Sequence, residues 1–476
     1  MSVAENVGQK LKLFDHQEKS LRFHLDHDCS FDLSDVGVGK SAPLALWMQH
    51  LSENGIVGKF LLVCPTSIIS NWQNELKMWT DLTSVALIGD KKKRLGLLQQ
   101  KNLADVWIIN FEGVRVVFSE LYAMNFGAIV VDEAHHIKSH AGSHKTPTQA
   151  FLVRELGKLV KYRKAATGTV LTNDVEDIWA IAQFVQPSIF RMNHWGFKNT
   201  YMFNENAGKP WMSWPNWKPK PGAVDEIHKR LEPYAIRFEK REVLRFLPPV
   251  LFQRRNIELS DEQRKAYKEL KKHFVTELDG CDEPLAALQI LSRITKLLQI
   301  CSGFVYLPAD DSKGAYHFKQ NAKLAELKNV LEEIGKQKVI IWCAFKEEIE
   351  IVKTVLGTQD FGVLTGDTKQ ADRQEIVNLF NSGSLQYLLC HPACAGEGLN
   401  IMAPYAIYFS RGWKLGERLQ SLGRNDRPGI EKVCDNITII DLVATNSVDE
   451  EVMAALERKS DLLATINPRS FREMMS

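Results

Sequence analysis

Ser34-Asp-Val-Gly-Val-Gly-Lys-Ser41 follows the apolar, strand-like Cys29-Ser-Phe-Asp-Leu33 and precedes a run that reads as helix. It fits the small-x-x-x-x-Gly-Lys-Ser/Thr phosphate loop, with Ser34 where the commonest form has glycine. Strand, tight loop and helix N-terminus make an anion cradle formed by Ser34, Asp35, Val36, Gly37, Val38 and Gly39. Gly37 and Gly39 let backbone N–H groups approach a triphosphate, and the helix start adds partial positive charge. Lys40 is placed to reach the β- and γ-phosphates, and the Ser41 hydroxyl to ligate Mg²⁺. Pro43 falls in the first helical turn, where its missing N–H does little harm. Glycine-rich turns also arise by chance, so the rest of the chain has to agree with a nucleotide here.

Outward from this loop, short continuous apolar runs recur. Lys59-Phe-Leu-Leu-Val-Cys-Pro65, Ala104-Asp-Val-Trp-Ile-Ile-Asn110, Gly127-Ala-Ile-Val-Val-Asp-Glu133 and Lys164-Ala-Ala-Thr-Gly-Thr169 read as strands buried on both faces. Helical patterns separate them, as in βαβ units, so a doubly wound parallel sheet is expected with its ligands at the C-terminal strand ends. Leu13-Phe-Asp-His-Gln17 opens a helix-like segment, with Gln17 placed to hydrogen-bond a base edge. Between about 189 and 222 the pattern breaks, and Trp195, Trp211, Trp214 and Trp217 gather with Pro215, Pro219 and Pro221. An irregular insertion is expected there, with a packed aromatic cluster more ordinary than stacking on bases. From Glu258 to about Ile300 the chain reads as long helices. Strands then return at Lys338–Cys343, Gly362–Leu364, Gln386–Cys390, Ala406–Phe409 and Ile437–Asp441, implying a second parallel sheet without a phosphate loop of its own. The two lobes are expected at residues 1–245 and 246–476.

Asp132-Glu-Ala-His135 follows the strand Ala128–Val131, where a carboxylate faces the phosphate loop across the strand tips. Asp132 is suited to bind Mg²⁺ with Ser41, and Glu133 to orient and deprotonate an attacking water. His135, His136, His140 and His144 invite a metal reading, but no thiolate or well-spaced carboxylate completes a set in sequence. In the C-terminal half, Gln420-Ser-Leu-Gly-Arg-Asn-Asp-Arg427 places Arg424 and Arg427 three apart, expected on one helical face and able to reach one phosphoryl group. Surface salt bridging is the plainer reading of that pair. Gly396-Glu-Gly-Leu-Asn400, after a strand, favours a nucleotide interface.

Composition bounds the rest. With 476 residues the chain should hold about two to four domains. Hydrophobic content of 45% and charged content of 25% match a globular protein, and no apolar run is long enough for a transmembrane helix. The N-terminal residues lack a signal pattern. Eight scattered cysteines without a Cys-x-x-Cys pair read as reduced thiols in an intracellular setting, with no zinc site. A formal charge of +2 excludes a whole-molecule field as the driver of nucleic-acid binding, which must come from local basic surface. Lys91-Lys-Lys-Arg94 reads as a solvated surface turn before it reads as a phosphate contact.

Taken in order, these motifs resemble the Swi/Snf family of superfamily-two helicase-like DNA translocases, over nearly the whole chain from about Leu13 to about Lys459. The ordered set is Leu13 to Gln17, Asp35 to Ser41, Leu62-Val-Cys-Pro-Thr66 with Asn71-Trp72 and Glu75, Asp132 to His135, and Ala166-Thr-Gly-Thr169 with Asn173 and Trp179. Gly366 to Arg373, Ala395 to Asn400 and Gln420 to Arg427 complete it. Ile227 to Arg237, Leu259 to Tyr267 and Ser447 to Val452 are the stretches that single out this family among helicases.

The resemblance implies two RecA-like doubly wound parallel-sheet lobes with helical insertions, ATP with Mg²⁺ between them, and double-stranded DNA as partner. Gln17, Gly396, Gly398 and Gln420 join the phosphate loop as nucleotide contacts in that picture. Arg424 and Arg427 complete the site from the second lobe. Thr66, Ser67, Asn71 and Asn400 are candidates for DNA contacts that position without reading sequence. Val170 departs from the proline usual after Thr-Gly-Thr, and Pro428-Gly429-Ile430 from the usual Ile-Gly-Gln. Neither change removes a catalytic group. With no chromatin-reading module in sight, the expectation is a compact bacterial or phage-type monomeric motor in the cytoplasm. A strand-separating, branch-migrating or annealing helicase shares every motif, and a catalytically silent nucleic-acid scaffold is the rival from another class.

Overall fold

Short segments of four or five residues, continuously apolar in β2 and β4, become the strands of the first sheet. β1 (Cys29–Asp32), β2 (Phe60–Val63), β3 (Ser84–Leu87), β4 (Val106–Ile109), β5 (Ala128–Asp132) and β6 (Tyr162–Ala166) form in chain order. In the computed structural model, residues 12–168, 175–207, 217–278, 283–307, 314–392, 399–412 and 415–457 are described. The chain divides into two compact units, Met1–Arg245 and Phe246–Ser476.

Successive strand residues face opposite sides, and the first core divides accordingly. Leu61, Val63, Trp107, Ile109, Ile129 and Val131 enter one apolar cluster. Phe60, Leu62, Val106, Ile108, Ala128 and Val130 enter the other. Both faces of the sheet are therefore covered, which is why its central strands read as unbroken hydrophobic runs. The short β7 (Met202–Asn204) and β8 (Trp217–Pro219) pair antiparallel away from this sheet. With β9 (Ala235–Ile236), the strand order is β3-β4-β2-β5-β6-β1-β9. β1 thus lies between β6 and β9, all parallel. Helices α1 (Asp15–Asp26), α2 (Ser41–Glu53) and α3 (Ile69–Trp79) precede β1, follow the phosphate loop and follow β2.

The stretch expected to be an irregular insertion is more regular than its composition implies. His194–Tyr201 is a helix whose Asn193 side chain caps the Gly196 N–H. Phe197 and Tyr201 from this helix enter the first core. Trp195 remains 61% exposed and meets Trp217 edge-on at 5.9 Å. Trp211, Trp214 and Pro215 lie outside the described residues.

In the second unit, β10 (Val250–Ile257), the hairpin of β11 (Phe304–Tyr306) with β12 (Ala315–His317), β13 (Val339–Trp342), β14 (Phe361–Leu364), β15 (Tyr387–Cys390), β16 (Tyr405–Tyr408) and β17 (Ile437–Ala444) follow. The parallel sheet runs β10-β17-β16-β13-β15-β14. Helices Asp261–Leu278 and Glu283–Cys301 supply the expected helical insertion. Among the described residues, no helix is long and apolar enough to cross a membrane.

A candidate nucleotide site

The phosphate loop leaves β1 at Asp32 and enters α2 at Ser41. Gly37 and Gly39 take φ of +89° and +83°, a region that L side chains rarely occupy. Lys40 Nζ donates to the carbonyls of Ser34 at 2.8 Å and Asp35 at 2.9 Å, so the lysine folds across its own loop. Buried Asp32 accepts the Ser34 N–H and the Ser20 hydroxyl, tying the loop to α1 below it.

α1 also grips the loop from the side. His16 Nε2 lies 2.8 Å from the Val38 carbonyl oxygen, and Gln17 Nε2 donates to the Gly39 carbonyl at 3.0 Å. Gln17 Oε1 accepts the Phe14 N–H. The Gln17 amide, expected to face a base, is thus engaged at both ends within the protein. A Cβ on Gly39 would sit 2.4 Å from Gln17 Nε2, so this grip requires glycine. The Thr167 N–H donates to the Asp32 carbonyl, which brings the Ala166-Thr-Gly168 turn against the loop. Thr169 and Asn173 lie outside the described residues.

Asp132 ends β5, with β6 between it and β1. Desolvation, and then the adjacent Glu133, push its carboxyl up to about 6; the Trp72 indole N–H, Lys40 and the Glu133 backbone N–H pull the other way. Trp72 Nε1 donates to Asp132 Oδ2 at 2.8 Å. Glu133 adopts φ 51° and ψ 51°, a left-handed conformation uncommon for any residue but glycine, asparagine or aspartate. Glu133 Oε2 lies 3.3 Å from His135 Nδ1. His135, the last residue of the Asp-Glu-Ala-His unit, is thus in contact with Glu133.

Trp72, quoted in the motif set without a role, is the contributor whose contact with Asp132 the sequence reading did not assign. A buried indole must find an acceptor, and its place on α3, after a strand whose C-terminal end neighbours β5, was the available signal. Three of the proposed DNA contacts lie on this element or just before it. Thr66 and Ser67 open a short 3-10 turn after β2, Thr66 exposed and Ser67 half-buried, and Asn71 is half-buried on α3.

The histidine reading changes with Glu176 and His194. His140, Glu176 and His194 offer ligand atoms within 4.8 Å of one another, so a carboxylate does approach, from a distant part of the sequence. However, the His140 and His194 rings stack 3.6 Å apart at an interplanar angle of 4°. A metal in the plane of one ring would lie out of the plane of the other. Glu176 already pairs with His194 and with Lys198.

In the second unit, the helix Leu415–Asn425 carries Gln420 and Arg424. The expected shared helical face is corrected here: Arg427 lies beyond the helix end, where the chain bends ahead of Pro428 and Gly429. Arg424 is only 2% exposed and donates to the Leu399 carbonyl at 3.3 Å. Arg427, half-buried, donates from Nε to the Gly423 carbonyl. Gln420 is buried and Asn400 exposed. Gly396 and Gly398 lie outside the described residues. Arg418 anchors this helix, with Nη2 2.8 Å from Asp441 Oδ2 and its guanidinium 3.6 Å from the Tyr408 ring centroid.

Comparison with known proteins identifies the family. Residues 16–303 match the SNF2-related domain, and residues 322–429 match the helicase conserved C-terminal domain. The ISWI chromatin-remodeling complex ATPase ISW1 of Saccharomyces cerevisiae is 26% identical over 445 residues, covering 89% of this chain and 37% of its own length. The uncharacterized ATP-dependent helicase MG018 of Mycoplasma genitalium is 25% identical over 439 residues, covering 90% of this chain and 39% of its own length. The chain spans well under half the length of these curated relatives. Among solved structures, the Sulfolobus solfataricus SWI2/SNF2 ATPase core in complex with dsDNA is similar at 21% identity and a TM-score of 0.44, covering 98% of this chain and 97% of that one. With the SNF2-related domain alone matching residues 16–303 of the 476, the chain belongs to the SNF2-related family.

Proposed function

We propose that this chain is a DNA-stimulated, Mg²⁺-dependent ATPase that moves along double-stranded DNA without needing to separate its strands. The observation that carries the proposal is the pairing of Asp132 and Glu133 at one strand tip, with Asp132 under the electrostatic influence of Lys40. A desolvated carboxylate beside a second carboxylate is only partly compensated by the Trp72 and Glu133 N–H groups and by Lys40, and such a group fits a divalent cation. Asp132 and Ser41 would hold Mg²⁺, which when bound neutralises phosphate charge.

The remaining work falls to side chains. Lys40 would leave its loop carbonyls for the β- and γ-phosphates. Glu133 would accept the proton of the attacking water. Arg424 and Arg427 would bring guanidinium charge from the second unit to the transferring phosphoryl group, a contribution worth roughly 10³ to 10⁵ in rate in other phosphoryl-transfer enzymes. Thr66, Ser67, Asn71 and Asn400 would contact the DNA backbone, so affinity should fall steeply with salt.

Measuring ATP turnover side by side with duplex DNA, single-stranded DNA and RNA tests the reading; duplex DNA should stimulate most. Glu133→Gln should lower the stimulated rate by roughly 10² to 10⁴ while ATP still binds. Unchanged turnover in that variant would sink the assignment of the base. Triplex displacement without unwinding of a forked duplex would favour translocation over strand separation.

A further inference from the structure

The phosphate loop is hydrogen-bonded, residue by residue, to the segment that follows β9. The pairing begins within the sheet, where the Leu33 N–H donates to the Ile236 carbonyl at 2.8 Å. It continues past the end of β1: the Asp35 N–H donates to the Phe238 carbonyl at 3.0 Å. The Phe238 N–H then donates to Ser34 Oγ at 3.1 Å, and the Lys240 N–H to Asp35 Oδ2 at 3.0 Å. The Phe238 ring meets His16 edge-on at 5.7 Å, and His16 itself contacts the Val38 carbonyl.

Ser34 accounts for the form of this ladder. Its carbonyl receives the Lys40 ammonium, so its hydroxyl accepts the Phe238 N–H in place of a main-chain oxygen. Glycine, the commonest residue at this place in phosphate loops, has no atom to offer there. Asp35 is similarly divided, with its carbonyl on Lys40 and its carboxylate on Lys240 N–H. The residues that hold the phosphate lysine therefore also hold residues 236–240. From Lys240 the chain makes one short helix, Lys240–Val243, and the second unit begins at Phe246.

We infer that Ser34 and Asp35 are positioning residues that couple the phosphate loop to the segment Ile236–Lys240, and through it to the start of the second unit. When Lys40 changes partners, the carbonyls of Ser34 and Asp35 are released, and the other bonds of those residues pass the change to Phe238 and Lys240. The inference rests on the ATPase reading above and assigns that site a coupling route.

Lys240 permits a clean test because it is the first residue of its helix. Proline is tolerated at that position, and Glu239 before it is extended, with φ −82° and ψ 129°, as a residue preceding proline should be. Lys240→Pro deletes the N–H given to Asp35 and keeps the carbonyl that receives the Leu244 N–H. Lys240→Ala removes the same side chain and keeps the N–H.

ATP KM and turnover should be measured with and without duplex DNA for both variants, alongside thermal unfolding. Relative to Lys240→Ala, Lys240→Pro should lose about tenfold in DNA-stimulated turnover, the order expected for one hydrogen bond to a charged group. Its KM for ATP should stay within about threefold, as expected for a change outside the nucleotide contacts. Equal DNA stimulation in the two variants would overturn the coupling. So would a loss that tracks thermal destabilisation. Asp35→Asn, which keeps an acceptor oxygen, should retain more stimulation than Asp35→Ala; equal losses would also count against the inference. Wild-type protein without DNA-stimulated turnover would refute the ATPase reading itself, a result separate from any difference between the Lys240 variants.

Discussion

Each unit buries a lysine completely, and the two are treated in opposite ways. Lys323, in the second unit, lies 2.5 Å from the Asp449 carboxylate, an ion pair with both partners buried. Lys164, on β6 of the first unit, has no carboxylate at bonding distance among the described residues. Its Nζ donates to the carbonyls of His24 and His27 and to the Ser30 hydroxyl, and it lies 4.7 Å from the Trp47 ring centroid. Desolvation dominates there and lowers its pKa to about 7, against smaller opposing effects of Cys29 and Asp28. One lysine is compensated by a contacting carboxylate, the other chiefly by dipoles. Lys323 therefore locks the helix Val448–Glu457 to the helix Ala322–Ile334. Lys164 binds the C-terminal end of α1 to β1, beneath the loop that α1 grips with His16 and Gln17.

The sharpest way to break the contrast is Asp449→Asn. The amide oxygen can still accept the Ala444 N–H that Asp449 Oδ2 takes, but Lys323 loses its counter-charge. Breaking a buried pair from one side typically costs about 3–5 kcal/mol. Urea unfolding should show that loss in the second unit. A change under about 1 kcal/mol would mean that Lys323 is compensated as Lys164 is.

Much of this architecture was legible because buried parallel strands leave continuous apolar runs. β2, β4, β5, β13 and β15 were readable for that reason. β3 and β10 were not. β3 is half-buried along most of its length, and β10, Val-Leu-Phe-Gln-Arg-Arg-Asn-Ile, is an edge strand with mostly exposed side chains. Their apolar runs, Val85–Ile88 and Val250–Phe252, are short and partly exposed, and their pairing comes from β4 and β17. The site divided in the same way. Lys40, Asp132 and Glu133 belong to local patterns and could be named from the sequence. Trp72 on Asp132 and Phe238 on Ser34 are contacts across the sequence, which local spacing does not encode. The Arg424–Arg427 spacing misled because Pro428 and Gly429 favour a break that the helical period ignores.

A second test is stability against pH. In the unfolded chain Lys164 should titrate near 10.4, whereas in the folded unit it titrates at about 7. Between these values the unfolded state binds the extra proton, so folding becomes more favourable as pH rises, by up to about 1.4 kcal/mol per pH unit. Below about 7 both states are protonated, and this contribution is flat and unfavourable. Denaturant midpoints between pH 7 and 9 should rise accordingly. Because thiols and tyrosines also titrate in this range, the relevant quantity is the difference from a variant lacking Lys164.

Lys164→Met is that variant, and at neutral pH its effect should be the smallest of the three. Methionine fills a similar volume and can keep the contact with Trp47. It removes the desolvation cost of the ammonium, which favours folding, but leaves the carbonyls of His24 and His27 and the Ser30 hydroxyl without their donor, which opposes it. The His24 ring nitrogen Nδ1, 2.9 Å from Ser30 Oγ, remains to partner that hydroxyl. The terms offset, so a net change within about 1 kcal/mol is expected at pH 7, together with loss of the rise toward pH 9. A large loss at pH 7 with the pH slope intact would show that the three acceptors, rather than the charge, dominate the energetics. A small loss accompanied by a weaker KM for ATP would place the function of Lys164 in α1, through the hold of His16 and Gln17 on the phosphate loop.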